Sequence, residues 1–163
     1  MTIAPTSASL DLPLHGASFG QAVSRFWKKY ATFSGRASRS EYWFAVIFVV
    51  LVLVVIWVPG FIIGLATGTP GVDSYGRAAT TPGPAFIPFA IVGGLFYLAV
   101  LVPGIAIQVR RLHDANLSGG FWFLHLIPSI GGIIVLVLTV LESNPLGARF
   151  DKGAAPVAGP PAA

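Results

Sequence analysis

Three long stretches without a charged residue constrain the fold of this chain more than any other feature. No Asp, Glu, Lys or Arg occurs in Tyr42–Val72, in Ala78–Val109 or in Ala115–Leu141. Each stretch exceeds the roughly 20 apolar residues that a helix needs to cross a bilayer core of about 30 Å. The sequence therefore predicts an all-α membrane protein with three transmembrane helices.

Composition agrees with a membrane environment. Of the 163 residues, 55% are hydrophobic and 10% are charged, whereas soluble domains average about 45–50% and about 25%. A soluble domain of this size could not bury so much apolar surface. The chain has no cysteine, which excludes disulfides, thiolate nucleophiles and cysteine-based metal sites. The first apolar stretch begins too late for a cleaved signal peptide, so we expect a multi-pass protein of a bacterial inner membrane.

The segments that flank the membrane domain differ in composition. Residues 1–17 are rich in Pro, Ser, Thr and Ala, and residues 152–163 in Ala, Pro and Gly; both are predicted to be disordered. Between them, residues 18–151 form the predicted membrane domain. Residues 18–33 place aromatic and basic side chains on opposite faces at helical spacing, which is typical of an amphipathic helix in the membrane interface. A soluble helix packed on a partner is the alternative.

The boundaries of the predicted spans follow from local signals. Ser38 and Glu41 have the spacing of a capping box at a helix start. Gly93-Gly94 in the second span allows another helix to approach closely, and the Gly/Pro/Thr-rich residues 66–84 predict an exposed loop. The three spans are expected at about residues 38–65, 85–109 and 120–141.

The third span contains an interruption that leaves two interpretations open. Pro128 and Gly131-Gly132 lie near its middle. A single helix kinked at Pro128 is the simpler interpretation, because residues 133–141 alone are too short to cross a bilayer. The alternative is a re-entrant hairpin, which would return the C-terminus to the side on which the third stretch begins.

Lysine and arginine counts predict the orientation. With three spans, seven of these residues lie on the N-terminal side and three on the other side. Because cytoplasmic segments carry the excess of Lys and Arg, the N-terminus is expected in the cytoplasm and the C-terminus outside.

Four motifs in a fixed order give the chain a resemblance to a known family. Residues 33–43 read F-S-G-R-A-S-R-S-E-Y-W, and residues 110–114 read R-R-L-H-D with S-G at 118–119. Residues 126–131 read L-I-P-S-I-G, and residues 147–151 read G-A-R-F-D. These motifs resemble those of a bacterial inner-membrane family catalogued as domain of unknown function 805. The resemblance covers about residues 19–151 and implies the membrane architecture without implying an activity.

The sequence departs from the family pattern at two places. Gly120 and Phe121 stand where the family usually has two tryptophans, although Trp122 follows directly. The terminal motif has lost its Asn and its final Gly, so the contacts that this motif makes in relatives are not expected here.

Two polar segments that precede the first and third spans supply the candidate site. Because the predicted topology places both at one membrane face, we expect their side chains to meet there as a polar cluster. Its members are Arg36, Arg39, Glu41, Arg110, Arg111, His113, Asp114 and Ser118. The simplest role is structural: Asp114 would pair with Arg36 or Arg39, and Glu41 with Arg110 or Arg111. Asn116 or Ser118 would cap the next helix.

Several further functions are compatible with this polar cluster. Basic residues at a membrane surface attract anionic lipid head groups, at about 1 kcal/mol each, and arginine binds phosphate with two parallel hydrogen bonds. An enzyme is not expected, because His113 and Asp114 lack a recognised metal-ligand or nucleophile spacing. No catalytic residue, metal or cofactor is assigned.

A transport role is the alternative function. His125 would lie inside a span, where ionisable residues are often functional, and helices interrupted by Pro and Gly can line a pathway. Three spans are few for a carrier, so this role would require a homo-oligomer or another membrane protein as partner. Nucleic-acid binding is not expected, because the predicted topology accounts for the basic residues.

Overall fold

The computed structural model describes residues 10–151. The predicted tail 152–163 and the first nine residues of the predicted lead-in lie outside the described residues. Four α-helices and a two-stranded sheet make up most of the described chain. The helices are α1 (Phe19–Lys28), α2 (Arg39–Ala66), α3 (Ile87–Asp114) and α4 (Gly131–Val140), and the strands are β1 (Thr69–Val72) and β2 (Ala78–Thr81).

Two helices are long and apolar enough to cross a membrane. α2 has 28 residues, and α3 together with the 3₁₀ turn Pro84–Phe86 has 31. At a rise of 1.5 Å per residue, 28 residues extend about 42 Å, which exceeds the hydrocarbon thickness of a bilayer. Pro59 and Pro103 lie inside these helices without ending them. The predicted spans 38–65 and 85–109 therefore correspond to two continuous helices.

The third predicted span, 120–141, is not confirmed. Its residues form a 3₁₀ helix over Gly119–Leu126 and then the ten-residue α4, which is too short to cross a bilayer. The break is at residues 127–130, where Pro128 lacks an amide donor and Ser129 has a φ of 66°. A left-handed residue next to a proline cannot continue a helix, so the chain turns back.

Both ends of this third segment meet the last turns of α3. The Leu117 amide donates to the Leu112 carbonyl at 2.9 Å, and the Arg111 guanidinium donates to the Thr139 carbonyl at 2.9 Å. The segment therefore leaves and returns at the same place, which is the geometry of the re-entrant alternative. The prediction that the C-terminal segment lies opposite the N-terminal one does not agree with this path.

By contact density the chain divides into two compact units. The first contains the described residues of Met1–Val46 and Val102–Ala163, and the second is Ile47–Leu101. α2 and α3 contribute to both units.

The second unit contains the facing halves of α2 and α3 and the hairpin between them. A Cβ on Gly93 would lie 3.0 Å from the Trp57 indole, so this glycine permits the close helix approach that the sequence predicts. Residues 66–84, predicted to be a loop, instead contain the antiparallel pair β1–β2. Asp73 organises its turn by accepting hydrogen bonds from the Tyr75 and Arg77 amides, each at 2.9 Å.

The first unit begins with α1, whose start is fixed by a capping box between Ser18 and Gln21. The predicted interfacial helix 18–33 is shorter than expected, because α1 ends at Lys28 and Gly35 adopts a φ of 81°. Residues 10–17 also differ from the disordered lead-in expected there. The Leu14 amide donates to Glu41 at 3.0 Å and the Ala17 amide to the Ser40 hydroxyl at 3.0 Å, which fixes these residues against the start of α2.

The path of the C-terminal segment can be tested by cysteine labelling, since the natural chain has no cysteine. We expect Ser24→Cys and Ala148→Cys, both at exposed positions, to react with a membrane-impermeant maleimide from the same side of sealed vesicles. A three-span topology would instead place these two labels on opposite sides. Labelling of the two variants from opposite sides would contradict the returning path.

Candidate functional site

The most buried part of the polar cluster is an ion pair inside the end of α3. Arg111 and Asp114 are both fully buried and pair across one helical turn. Asp114 also accepts a hydrogen bond from the Ser143 hydroxyl, and its backbone carbonyl accepts one from the Asn144 amide at 2.8 Å. The prediction that Asp114 pairs with Arg36 or Arg39 is therefore wrong, because its own helix supplies the cation.

The Arg111 guanidinium also binds the end of α4. It donates to the backbone carbonyls of Thr139 and Leu141, which have no helical partner because α4 ends there. A charged donor on a free helix carbonyl is a favourable arrangement at a helix C-terminus. One side chain thus ties the end of α3 to the end of α4.

Glu41 organises a second buried group at the start of α2. Its carboxylate accepts hydrogen bonds from the Ser38 amide at 3.0 Å and the Leu14 amide at 3.0 Å. The Glu41 amide in turn donates to the Ser38 hydroxyl at 3.3 Å, which confirms the predicted capping box. The cation that pairs with Glu41 is Arg25 of α1, and not Arg110 or Arg111 as predicted.

Arg25 departs from the predicted separation of basic and aromatic faces on α1, because it is buried together with Phe26. It is 6% exposed, and it also donates to the Leu12 carbonyl. The signal for this contact was its position: Arg25 lies three residues after Ala22 and beside Phe26, and all three are buried on α1. Residue type alone predicts Arg25 on the basic face of the helix, together with Lys28.

Arg110 is a buried member of the polar cluster whose guanidinium is only partly hydrogen-bonded. It is 1% exposed, and its Nε donates to the Ala106 carbonyl at 3.2 Å. Within residues 10–151, its Nη2 has no hydrogen-bond partner. A buried donor without a partner costs free energy, so the group is a candidate for an interaction with a ligand or with water.

The C-terminal segment completes the first unit despite its altered motif. Arg36 forms a two-pronged ion pair with Asp151, with a shortest N–O distance of 2.7 Å. The His113 ring stacks on Phe150 with 4.0 Å between centroids, and its Nδ1 is 3.1 Å from the Gly35 carbonyl. Asp151 stands where the family pattern ends in glycine, and it supplies the carboxylate for Arg36. The altered motif therefore still holds the C-terminal segment against Arg36 and His113.

Gly147 lets this segment pack closely on α3. A Cβ at Gly147 would lie 2.4 Å from the His113 carbonyl, a distance that no side chain can occupy without displacing the backbone. Gly147 is the first residue of the terminal motif, but the loss of the Asn and the final Gly made this motif a weak predictor of contacts.

Arg39 and Ser118 lie at the surface of the first unit. Arg39 is 44% exposed in its side chain, and its nearest carboxylate, Glu142, is 4.0 Å away and 94% exposed. Its Nε donates to the Leu141 carbonyl at 3.0 Å. Ser118 caps the following 3₁₀ helix by accepting from the Gly120 amide at 3.2 Å; of the two candidate caps, Ser118 is the one used.

His125, singled out for transport, is exposed in the 3₁₀ helix, with its Nδ1 3.0 Å from the Trp122 carbonyl. In the described part of the chain no three His, Asp or Glu side chains converge as metal ligands would.

Lys29 is a buried cation that the predicted site omits. It is 5% exposed at the end of α1. Burial lowers the pKa of Lys29 to about 8, and the positive charges of Arg110 and Arg25 add to this effect. Glu41 and Asp11 oppose the lowering but do not cancel it.

These observations define a mostly helical integral membrane protein whose polar residues gather in one unit around the ends of its long helices. The chain belongs to the family described as Protein of unknown function (DUF805), which matches residues 30–152. Its relatives include two inner membrane proteins of Escherichia coli strain K12. YhaI is 31% identical over 125 residues, which cover 77% of this chain and 87% of YhaI. YhaH is 30% identical over 123 residues, which cover 76% and 87% respectively.

No solved structure matches the chain significantly. Membership in the family shows a membrane protein of unknown activity.

The buried pair can be tested by removing one of its charges. Asp114→Asn leaves the Arg111 guanidinium buried without a counter-charge, so we expect the free energy of unfolding in detergent to fall by about 3–5 kcal/mol. The matched control is Asp73→Asn, which removes the carboxylate of an ion pair with an exposed Arg77 and should change stability little. Equal effects of the two substitutions would contradict the structural role of Asp114.

The burial of Lys29 predicts a pH dependence of stability. Below pH 8 the ammonium is charged in both states, and its burial costs stability. From about pH 8 to 10.5 the unfolded chain still holds the proton that the folded chain has lost, so this contribution makes stability rise with pH. We expect Lys29→Met to raise the Tm at pH 7 in phosphate-free detergent and to flatten the rise up to pH 10.

The control is Lys28→Met, which removes the exposed neighbouring ammonium and should leave the pH profile of Tm unchanged. A lower Tm for Lys29→Met than for the natural protein at pH 7 would show that the Lys29 charge is stabilising and would contradict this expectation.

Proposed function

We propose that this protein is a non-catalytic structural or interaction protein of the bacterial inner membrane, with its N-terminus in the cytoplasm. Its surface binds anionic lipid head groups through a cleft centred on Arg39. The observation that carries the proposal is that both carboxylates of the polar cluster are paired inside the protein, whereas Arg39 faces outward.

Internal pairing makes four of the eight polar cluster members unavailable to a ligand. Arg111 and Asp114 are enclosed together, Glu41 is held by Arg25 and two amides, and Arg36 is paired with Asp151. Arg39 differs, because its loose pair with an almost fully exposed Glu142 is a weak interaction that a stronger anion can replace.

The cleft around Arg39 has the size and chemistry of a head-group site. Its volume is about 430 Å³. Hydroxyl, imidazole and guanidinium groups supply hydrogen-bond donors on its walls. The lining residues are His15, Gly16, Ser38, Arg39, Ser40, Glu142 and Ser143.

The position of Arg39 supports a lipid as the anion. Arg39 is the first residue of α2, a helix long enough to cross the bilayer, so its side chain belongs at the level of the head groups. Tyr42 and Trp43 follow directly, and such aromatic residues are enriched at membrane interfaces. The positive end of the α2 dipole adds to the attraction for an anion.

The distribution of charge supports the cytoplasmic side. Of the nine basic residues within 10–151, eight belong to the first unit, and Arg77 belongs to the second. Cytoplasmic segments carry such an excess, and an anionic leaflet attracts basic residues close to its surface.

The alternative function, a subunit of a transport assembly, has less support. It was based on His125 within a third span and on helices interrupted by proline. His125 is exposed in a short 3₁₀ helix. Both proline-containing long helices are continuous, and the break at Pro128 lies in the third apolar stretch, which does not form a long helix.

The lipid proposal can be tested with the full-length protein in nanodiscs. We expect native mass spectrometry to find phosphatidylglycerol retained over phosphatidylcholine, and Arg39→Gln to reduce that preference about fivefold, as expected for one basic residue at a membrane surface.

The matched control is Arg77→Gln, which removes an exposed arginine from the turn between β1 and β2. It should leave the lipid preference unchanged. An Arg39→Gln protein that retains the full preference while remaining folded would refute the Arg39 cleft as the lipid site.

A further inference from the structure

We infer that a second cavity, between the end of α1 and the loop before α2, binds a phosphate group through Lys28 and Lys29. This site shares no residue with the Arg39 cleft and does not depend on it. Its ligand class is a phosphate monoester or diester, which a lipid head group or a soluble phosphate can supply.

The cavity is small and is lined mainly by polar groups. Its volume is about 170 Å³, below the roughly 300–1,000 Å³ of pockets for drug-sized ligands. The lining residues are Leu10, Asp11, Lys28, Lys29, Thr32, Ser34 and Gly35. Two ammonium groups and two hydroxyls can donate to phosphate oxygens, whereas Asp11 supplies the only carboxylate among these residues.

The interior next to this cavity carries uncompensated positive charge. Lys29, Arg25 and Arg110 are each at most 6% exposed, and they influence one another electrostatically together with Glu41. Glu41 is bound to Arg25, so within residues 10–151 these three buried cations lie near one buried carboxylate, and the exposed Asp11 also acts on Lys29. A buried charge without a counter-charge is unfavourable, and an anion beside Lys29 would provide one.

Two features of these buried cations are consistent with this deficit. The low pKa of Lys29, about 8, reflects burial near other cations. The Nη2 atom of Arg110 is buried without a hydrogen-bond partner among the described residues. Both features belong to groups for which nearby negative charge would be favourable. The Asp11 carboxylate alone does not restore an ordinary pKa to Lys29.

The surroundings bear on the source of the phosphate. Trp27, Tyr30 and Phe33 are exposed around the segment that carries Lys28 and Lys29. Exposed aromatic residues beside lysines are typical of a protein surface at the membrane interface. A lipid phosphate can therefore reach this cavity as readily as a soluble one, and the experiment must separate the two sources.

The test uses full-length protein labelled with ¹⁵N-lysine. The chain has three lysines, Lys28, Lys29 and Lys152, and the Nζ signal of Lys29 can be assigned by its loss in Lys29→Gln. In nonionic detergent, inorganic phosphate is compared with chloride at equal ionic strength. In nanodiscs, phosphatidylglycerol is compared with phosphatidylcholine.

We expect phosphate or phosphatidylglycerol to raise the pKa of Lys29 towards its ordinary value of 10.5, because a bound anion stabilises the ammonium. Lys29→Gln should weaken binding of the responding ligand about tenfold, whereas Arg149→Gln, which removes a basic side chain outside the cavity, should not. A response only to phosphatidylglycerol identifies a lipid site, and one only to inorganic phosphate identifies a soluble ligand.

A pKa of Lys29 that is unchanged by both ligands would overturn the inference. Arg39→Gln distinguishes this result from failure of the Arg39 cleft, because that variant should retain the Lys29 response even if it loses lipid preference.

Discussion

The buried ion pair between Arg111 and Asp114 is the interaction on which the first unit depends. Two charges removed from water require close pairing and further hydrogen bonds, since an isolated buried charge is very costly. Asp114 obtains these bonds from Arg111 and Ser143, and Arg111 from Asp114 and from carbonyls at the end of α4. These contacts hold the chain after α4 against the end of α3. The third apolar stretch consequently returns instead of continuing as one long helix.

Glu41 plays the corresponding part at the start of α2. Together with Asp114 and Asp151, it separates the paired basic residues from those that are less completely compensated. Arg25, Arg36 and Arg111 are engaged with carboxylates of the chain itself and serve its stability. Arg39 and Lys29 are less completely compensated, for different reasons: Arg39 is exposed beside a loosely paired glutamate, and Lys29 is buried among other cations. Arg39 and Lys29 each line a cavity in which an anion could offset their charge.

Membership in the DUF805 family agrees with the motifs recognised in the sequence, but the structure changes the meaning of individual motif positions. The capping box of Ser38 and Glu41 could be predicted because it joins residues three apart through local backbone geometry. The pairs of Glu41 with Arg25 and of Arg36 with Asp151 could not, because each joins segments whose proximity depends on the whole unit. Residue type alone offered several equally reasonable partners for each charge.

The sequence by itself determined the membrane class, the two long apolar helices and the clustering of polar residues near their ends. These features follow from the length of the uncharged stretches and from local capping signals, which need no knowledge of distant contacts. Only the tertiary structure decided which charges pair, where α1 ends and how the third apolar stretch runs. The ten residues of α4 are as apolar as a spanning helix, so hydropathy alone cannot distinguish a returning segment from a membrane-spanning one. The chain returns because it turns at Ser129 and because the Arg111 guanidinium donates hydrogen bonds to the carbonyls of Thr139 and Leu141.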